Sequence, residues 1–95
     1  MSLACLPISR VMLSSPGDAS QLRVSHAELP PPAAGEIRVR HTAIGVNYVD
    51  IYHRDGLYPL PVWPSPLGVE AAGWVEALGP GVSHLHIGQR VAYAG

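Results

Sequence analysis

At 95 residues the chain has room for one domain with a modest core. Its net charge is -1, from six arginines, no lysine and seven acids, so no basic patch exists to steer nucleic acid or an anionic membrane surface. Charged residues make up 14% of the chain against about 25% in typical soluble domains, so part of the surface is expected to lie under something else.

The single cysteine, Cys5, leaves no disulfide within the chain and points to a cytoplasmic setting. Met1 to Ser9 has neither the basic start nor the apolar length of a signal peptide. The longest uncharged run, Gly56 to Val69, is short and interrupted by Pro59, Pro61, Pro64 and Pro66, which excludes a membrane helix there.

Ile8 to Leu13 reads as a first strand, closed by the turn cluster Ser14-Ser15-Pro16-Gly17-Asp18. Leu22, Val24 and His26 alternate with Arg23 and Ser25, which predicts a second, half-buried strand on the face of Leu22 and Val24. Pro30-Pro31-Pro32 forms a stiff connector, since consecutive prolines hold polyproline II. Glu36 to Arg40 alternates cleanly, with Ile37 and Val39 facing inward, and the strand is expected to run on to about Val46. The period then changes, and Val46, Val49, Tyr52 and Leu57 fit one or two short helical turns.

Pro59 to Pro66 reads as a rigid extended loop. Glu70 to Leu78 is a further strand, and Gly73 within it marks a bulge or a close backbone approach. Gly79-Pro80-Gly81 and Ile87 to Arg90 are turns, and Val91 to Ala94 is a last strand. Short strands at even spacing with Gly/Pro punctuation predict a mainly β fold, a small barrel or sandwich. The chain stops at Gly95 directly after an apolar strand, and a fragment of something longer is expected.

The stretch from Gly45 to Tyr58 concentrates the chemistry. Fourteen positions hold an amide, two acids, an imidazole, a guanidinium and three phenols. Buried tyrosine hydroxyls need partners, so this run suits the wall of a pocket that orients a flat, polar-edged ligand better than it suits a core. Asn47 is either a site residue or a helix N-cap, where Asn is favoured, and the two roles are compatible. Asp50 reads as structural, accepting backbone N–H groups near the turn. A buried Glu70 would need a paired cation. His53 reads as an exposed turn residue, and His84 and His86 lack a third ligand for a metal.

Several pieces resemble the quinone oxidoreductase, zeta-crystallin-like branch of the medium-chain dehydrogenase/reductase superfamily. They are Leu29-Pro30 with Pro32 and Gly35 to Val39; Gly45-Val46-Asn47 through Asp50; Gly56 to Pro59; Pro66 to Gly73; Val75-Glu76; and Gly79, Gly81, Gly88 and Arg90-Val91. The resemblance implies a GroES-like, partly open β-barrel over residues 1–95, the catalytic domain of such enzymes and incomplete here. Family members continue into a Rossmann domain that binds NADPH, then return to the barrel; no Gly-x-Gly-x-x-Gly turn after a strand stands in these residues. The implied activity is hydride transfer from NADPH to a quinone, with an enal or enone double bond as the alternative acceptor. A non-catalytic barrel acting as a binding or structural module is the alternative of a different class.

In zinc-dependent relatives of the family a Cys stands at the position of Asn47 and a His at that of Val69, so the resemblance implies no catalytic zinc. Under that activity Asn47 and Tyr52 are expected to line the nicotinamide and substrate region, with Tyr48 and Tyr58 as candidates for the pocket wall, packing being the alternative for Tyr52 and Tyr58, and with Asp50 and Glu70 in structural roles. The resemblance implies a homodimer for the full-length protein. Two departures stand out: Gln89 replaces an Asp that tightens the Gly-Asp-Arg-Val turn, so a looser turn is expected, and Trp74 replaces a small aliphatic.

Overall fold

The computed structural model describes residues 5–95, so the first four residues of the Met1–Ser9 leader reading lie outside it. Six strands and one helix follow in the order β1 (Leu6–Leu13), β2 (Leu22–Leu29), β3 (Ile37–Ile44), α1 (Tyr48–Asp55), β4 (Ser65–Pro66), β5 (Glu70–Leu78) and β6 (Arg90–Ala94). A turn of 3-10 helix at Ala19–Gln21, which the turn cluster before it did not announce, leads into β2; Asp18 caps it by accepting from the Ser20 N–H.

The strands form two antiparallel three-stranded sheets, ordered β2-β1-β4 and β3-β5-β6. The sheets do not close on each other. The radius of gyration is 15.0 Å, against about 13 Å for a compact domain of roughly 100 residues. This is the open, GroES-like barrel that the motifs imply.

The core follows from strand position. β5 has a neighbour on each edge, and its alternate residues Ala71, Gly73, Val75 and Ala77 are buried. Leu13 is buried because the end of β1 is gripped from both sides, by Leu22 and by Ser65. Gly73 does what its place in a strand predicts. The register of β3 against β5 shifts between His41 and Ala43, and a side chain on Gly73 would overlap the Arg40 carbonyl.

Three expectations need correcting. In β2 Leu22 is half-buried as expected, but from Val24 on the faces change over: Val24 is 70% exposed and His26 is exposed, while Ser25, Ala27 and Leu29 turn inward. Apolar identity misled here because Val24 faces a groove between the sheets rather than a packed core. The Pro59–Pro66 loop is not extended throughout: it bends at residues 61–64, where the Trp63–Pro64 peptide is cis, and its end forms β4 and buries Ser65. Gln89 does not loosen its turn: its Oε1 accepts from the His86 N–H at 3.0 Å, the bond a shorter Asp was expected to supply.

β3 leaves the sheet at Ile44, two residues before the expected end. Ile37 and Val39 are half-buried as expected, but so is Arg38, because a second register shift lies between Arg38 and Val39. Trp74 is half-buried on β5, opposite Arg40 and Arg90 in register.

Candidate functional site

The chain reaches α1 through a tight passage. Gly45 donates its N–H to the Glu70 carbonyl at 3.2 Å. A side chain at Gly45 would overlap the Glu70 carboxylate, so only glycine lets Glu70 lie across the start of the site. Asn47 then stands extended, at φ -128° and ψ 162°, as the N-cap of α1.

Asp50 Oδ2 accepts the Asn47 N–H at 2.9 Å, half of a capping box, and the acid also favours the positive end of the helix. The Asp50 N–H goes to the Asn47 carbonyl at 3.0 Å and is faced by the Asn47 side chain as well, which completes the capping box. Of the two readings of Asn47, the N-cap is the one the geometry shows.

An eight-residue helix is marginal in isolation, and α1 buries no residue, so its ends must hold it. At the far end Gly56 turns left-handed, at φ 88°, and closes the helix onto the His53 carbonyl. Arg54 clamps the last turn to the β1–β2 loop. Its Nε donates to the Gly17 carbonyl at 3.1 Å, and its own carbonyl accepts the Gly17 N–H at 2.8 Å.

The reversal at Gly56 brings Tyr58 back over the helix. The Tyr58 N–H bonds the Tyr52 carbonyl at 3.2 Å, and the two rings meet edge-on at 5.5 Å. His53 joins the cluster, its ring centroid 6.4 Å from that of Tyr58. The sequence reading left His53 in an exposed turn; the signal that finds it is the left-handed glycine between it and a tyrosine. Tyr48 shares the helix face of Tyr52 by its four-residue spacing and stands 78% exposed.

Asn47, Tyr48, Tyr52 and Tyr58 line neither the groove between the sheets nor the cavities beside Glu70 and His26. Asn47 is half-buried, whereas Tyr48, Tyr52 and Tyr58 are exposed, as are Val46 and Leu57, at 85% and 64%. A flat ligand against these tyrosines has one wall in them and needs a second from elsewhere.

Glu70 borders a cavity with Ala43, Tyr93 and Ala94, and its carboxylate makes no ion pair among the described residues, so the paired cation it calls for is not found there. Nearby, the Tyr93 hydroxyl and His41 Nε2 lie 2.9 Å apart across β5, a pair 52 positions apart in sequence and invisible there. His84 and His86 are exposed, and among the described residues no three metal-ligating side chains gather.

Two open antiparallel sheets with one short capped helix between β3 and β4 define a domain of the GroES-like class. The chain belongs to the alcohol dehydrogenase GroES-like domain family, whose profile matches residues 33–95.

Within that family it is similar to a quinone oxidoreductase of Pseudomonas aeruginosa, 45% identical over 90% of this chain and 26% of the relative. It is also similar to a 2-haloacrylate reductase of a Burkholderia species, 51% identical over 63% of this chain and 19% of the relative. The crystal structure of Escherichia coli quinone oxidoreductase complexed with NADPH superposes with a TM-score of 0.87 at 44% identity, over 92% of this chain and 27% of that one. The chain thus spans about a fifth to a quarter of the length of these relatives.

Proposed function

We propose that these residues form the amino-terminal, catalytic-domain segment of a zinc-independent, NADPH-dependent, cytoplasmic quinone oxidoreductase. The carrying observation is the Tyr52–Tyr58 pair on α1, a helix that starts at the Asn47 cap and buries no residue of its own. The similarity to quinone oxidoreductases over nine-tenths of the chain supports the same reading.

NADPH, when bound, supplies two electrons and a proton equivalent to the acceptor. Most of its binding surface belongs to a Rossmann domain outside residues 1–95. The contribution of this chain is to orient and to stabilise charge. The Asn47 amide donates a hydrogen bond to the carbonyl oxygen of the acceptor or holds the nicotinamide amide. The Tyr52 hydroxyl donates to the oxygen on which negative charge develops, while its ring faces a planar ligand. Tyr58, edge-on to Tyr52, holds that ring in place, and Tyr48 extends the wall.

Donors aimed at developing charge lower a barrier most where water is excluded, which the second wall would provide. A quinone becomes a stabilised phenolate-like anion on reduction, so it demands less Lewis-acid help than a ketone. The donor set agrees: Asn47 and Val69 offer neither thiolate nor imidazole, and Glu70 alone makes no zinc site.

A second reading, reduction of an activated carbon–carbon double bond, is favoured by the similarity to the haloacrylate reductase. It uses the same donors on an enone or acrylate oxygen.

The test replaces the matching segment of the E. coli enzyme with this chain and follows NADPH oxidation with 1,4-benzoquinone and with an enone. Quinone-dependent turnover that survives strong chelators is expected. A folded chimera that binds NADPH and reduces neither acceptor would overturn the reading, as would NADPH binding by the 95 residues alone at micromolar concentration.

A further inference from the structure

The last turn of α1 carries a half-buried histidine that the reductase chemistry does not use. His53 follows Tyr52 directly and precedes Arg54, whose side chain holds the β1–β2 loop. The His53 carbonyl accepts the Gly56 N–H at 3.3 Å, so its backbone is fixed by the same left-handed stop that reverses the chain. The reversal lays Tyr58 on the helix, where its N–H bonds the Tyr52 carbonyl at 3.2 Å.

That bond fixes the backbone of Tyr58 and leaves its ring to side-chain contacts. The ring is 51% exposed, so no packed core holds it. It meets two rings instead. Tyr52 lies 5.5 Å away at an interplanar angle of 81°, and His53 lies 6.4 Å away at 64°. Both separations fall in the range where aromatic rings attract edge to face.

The two contacts differ in direction. Tyr52 and His53 are consecutive on a helix, so their side chains leave its axis about 100° apart. One ring contact lets a half-exposed tyrosine swing between staggered rotamers while it stays near its neighbour. A second contact, on another bearing, leaves one position for the ring. Tyr58 thus sits between Tyr52 and His53, and only the imidazole supplies the second side.

We infer that His53 is a positioning residue of this site: acting through Tyr58, its ring sets the Tyr52 wall against which a planar acceptor lies. This role rests on the reading of α1 as the reductase site and deepens it. His53 does not touch the acceptor. It holds the two tyrosines in one arrangement before the ligand arrives, and preorganisation of that kind appears as tighter binding. A flat wall contacts a planar ring alike before and during hydride transfer, so its loss raises KM and leaves kcat unchanged.

The experiment uses the E. coli enzyme carrying this segment, with saturating NADPH and varied 1,4-benzoquinone, together with crystal structures of the variants. His53→Ala should raise the KM for the quinone about fivefold, the size of one aromatic edge contact, at unchanged kcat. In its structure the Tyr58 ring should have left the edge of Tyr52. His53→Phe keeps a ring and removes both nitrogens, and it should restore the KM and the ring position. Alanine is a strong helix former, and His53→Gln takes its place under the same outcomes if His53→Ala does not fold. An active chimera whose KM is indifferent to His53→Ala, or whose Tyr58 ring stays in place, overturns the inference alone. So does a fall in kcat shared by His53→Ala and His53→Phe, which would make the imidazole a proton donor. An unaltered chimera that folds, binds NADPH and reduces no acceptor overturns the reductase reading, and this role with it.

Discussion

β5 and α1 are nearly equal in length, nine residues and eight, and opposite in what holds them. β5 lies between two strands, and every second residue of it is buried. α1 buries nothing and hangs from a cap at one end and the Gly56–Arg54 clamp at the other. The central strand is positioned by many weak contacts spread along it. The helix is positioned by a few directional bonds at its termini, which leaves its outward face free to carry polar and aromatic groups. A site needs that second kind of element, because side chains that hold the fold are not available to hold a ligand.

The sharpest way to break the comparison is Gly73→Val. The new side chain would overlap the Arg40 backbone at the bulge, and a cost of about 3 kcal/mol is expected from such overpacking. In so small a core this should abolish cooperative urea unfolding followed by far-UV circular dichroism. A midpoint like that of the unaltered chain would show that β5 is not tightly held.

On the helix side, Asn47→Ala in the chimera should lower quinone-dependent NADPH oxidation about a hundredfold, the effect of removing one donor to a developing oxyanion. Its stability should change by about 1 kcal/mol or less. Activity and stability falling in proportion would make Asn47 a cap and nothing more.

Asp50→Ala tests the N-terminal hold. Losing its bond to the Asn47 N–H should cost about 1 kcal/mol in chemical denaturation. An unchanged midpoint would assign the helix wholly to its C-terminal clamp.

The smallest effect is a pH dependence on the sheet side. Burial pushes the Glu76 carboxyl up, but hydrogen bonds from Arg40 and Arg38 outweigh it and hold the group below its ordinary range. A carboxylate lowered in the folded state stabilises the fold above its unfolded value, about 4.3, and that contribution is lost as pH falls through the lowered folded value. The melting temperature should therefore drop below about pH 4 more steeply in the unaltered chain than in Glu76→Gln. Parallel curves would remove the Arg38–Glu76–Arg40 cluster from the stability of this sheet.

Much of the fold was legible because its signals are local. Glycine at 73, 79, 81 and 88, prolines at 30–32 and the alternation of β3 each act over a few residues, and the strands they bound are the strands observed. β2 was misread on the same logic: alternation says that one face differs from the other, and not what each face meets. The candidate site divides the same way. Asn47 as a cap, Asp50 as its acceptor and Gly56 as a stop are written in adjacent residues. The return of Tyr58 onto Tyr52 with His53, the Tyr93–His41 pair and the passage of Glu70 over Gly45 depend on elements that meet only in three dimensions.

By itself the sequence determined the element types, the turns and the family, because backbone preferences and motif spacings are properties of short segments. Only the tertiary structure decided which valines face a groove, which histidine lies against the returning Tyr58, and which tyrosines stand together on α1. Burial and pairing are relations between segments, and no single segment contains them.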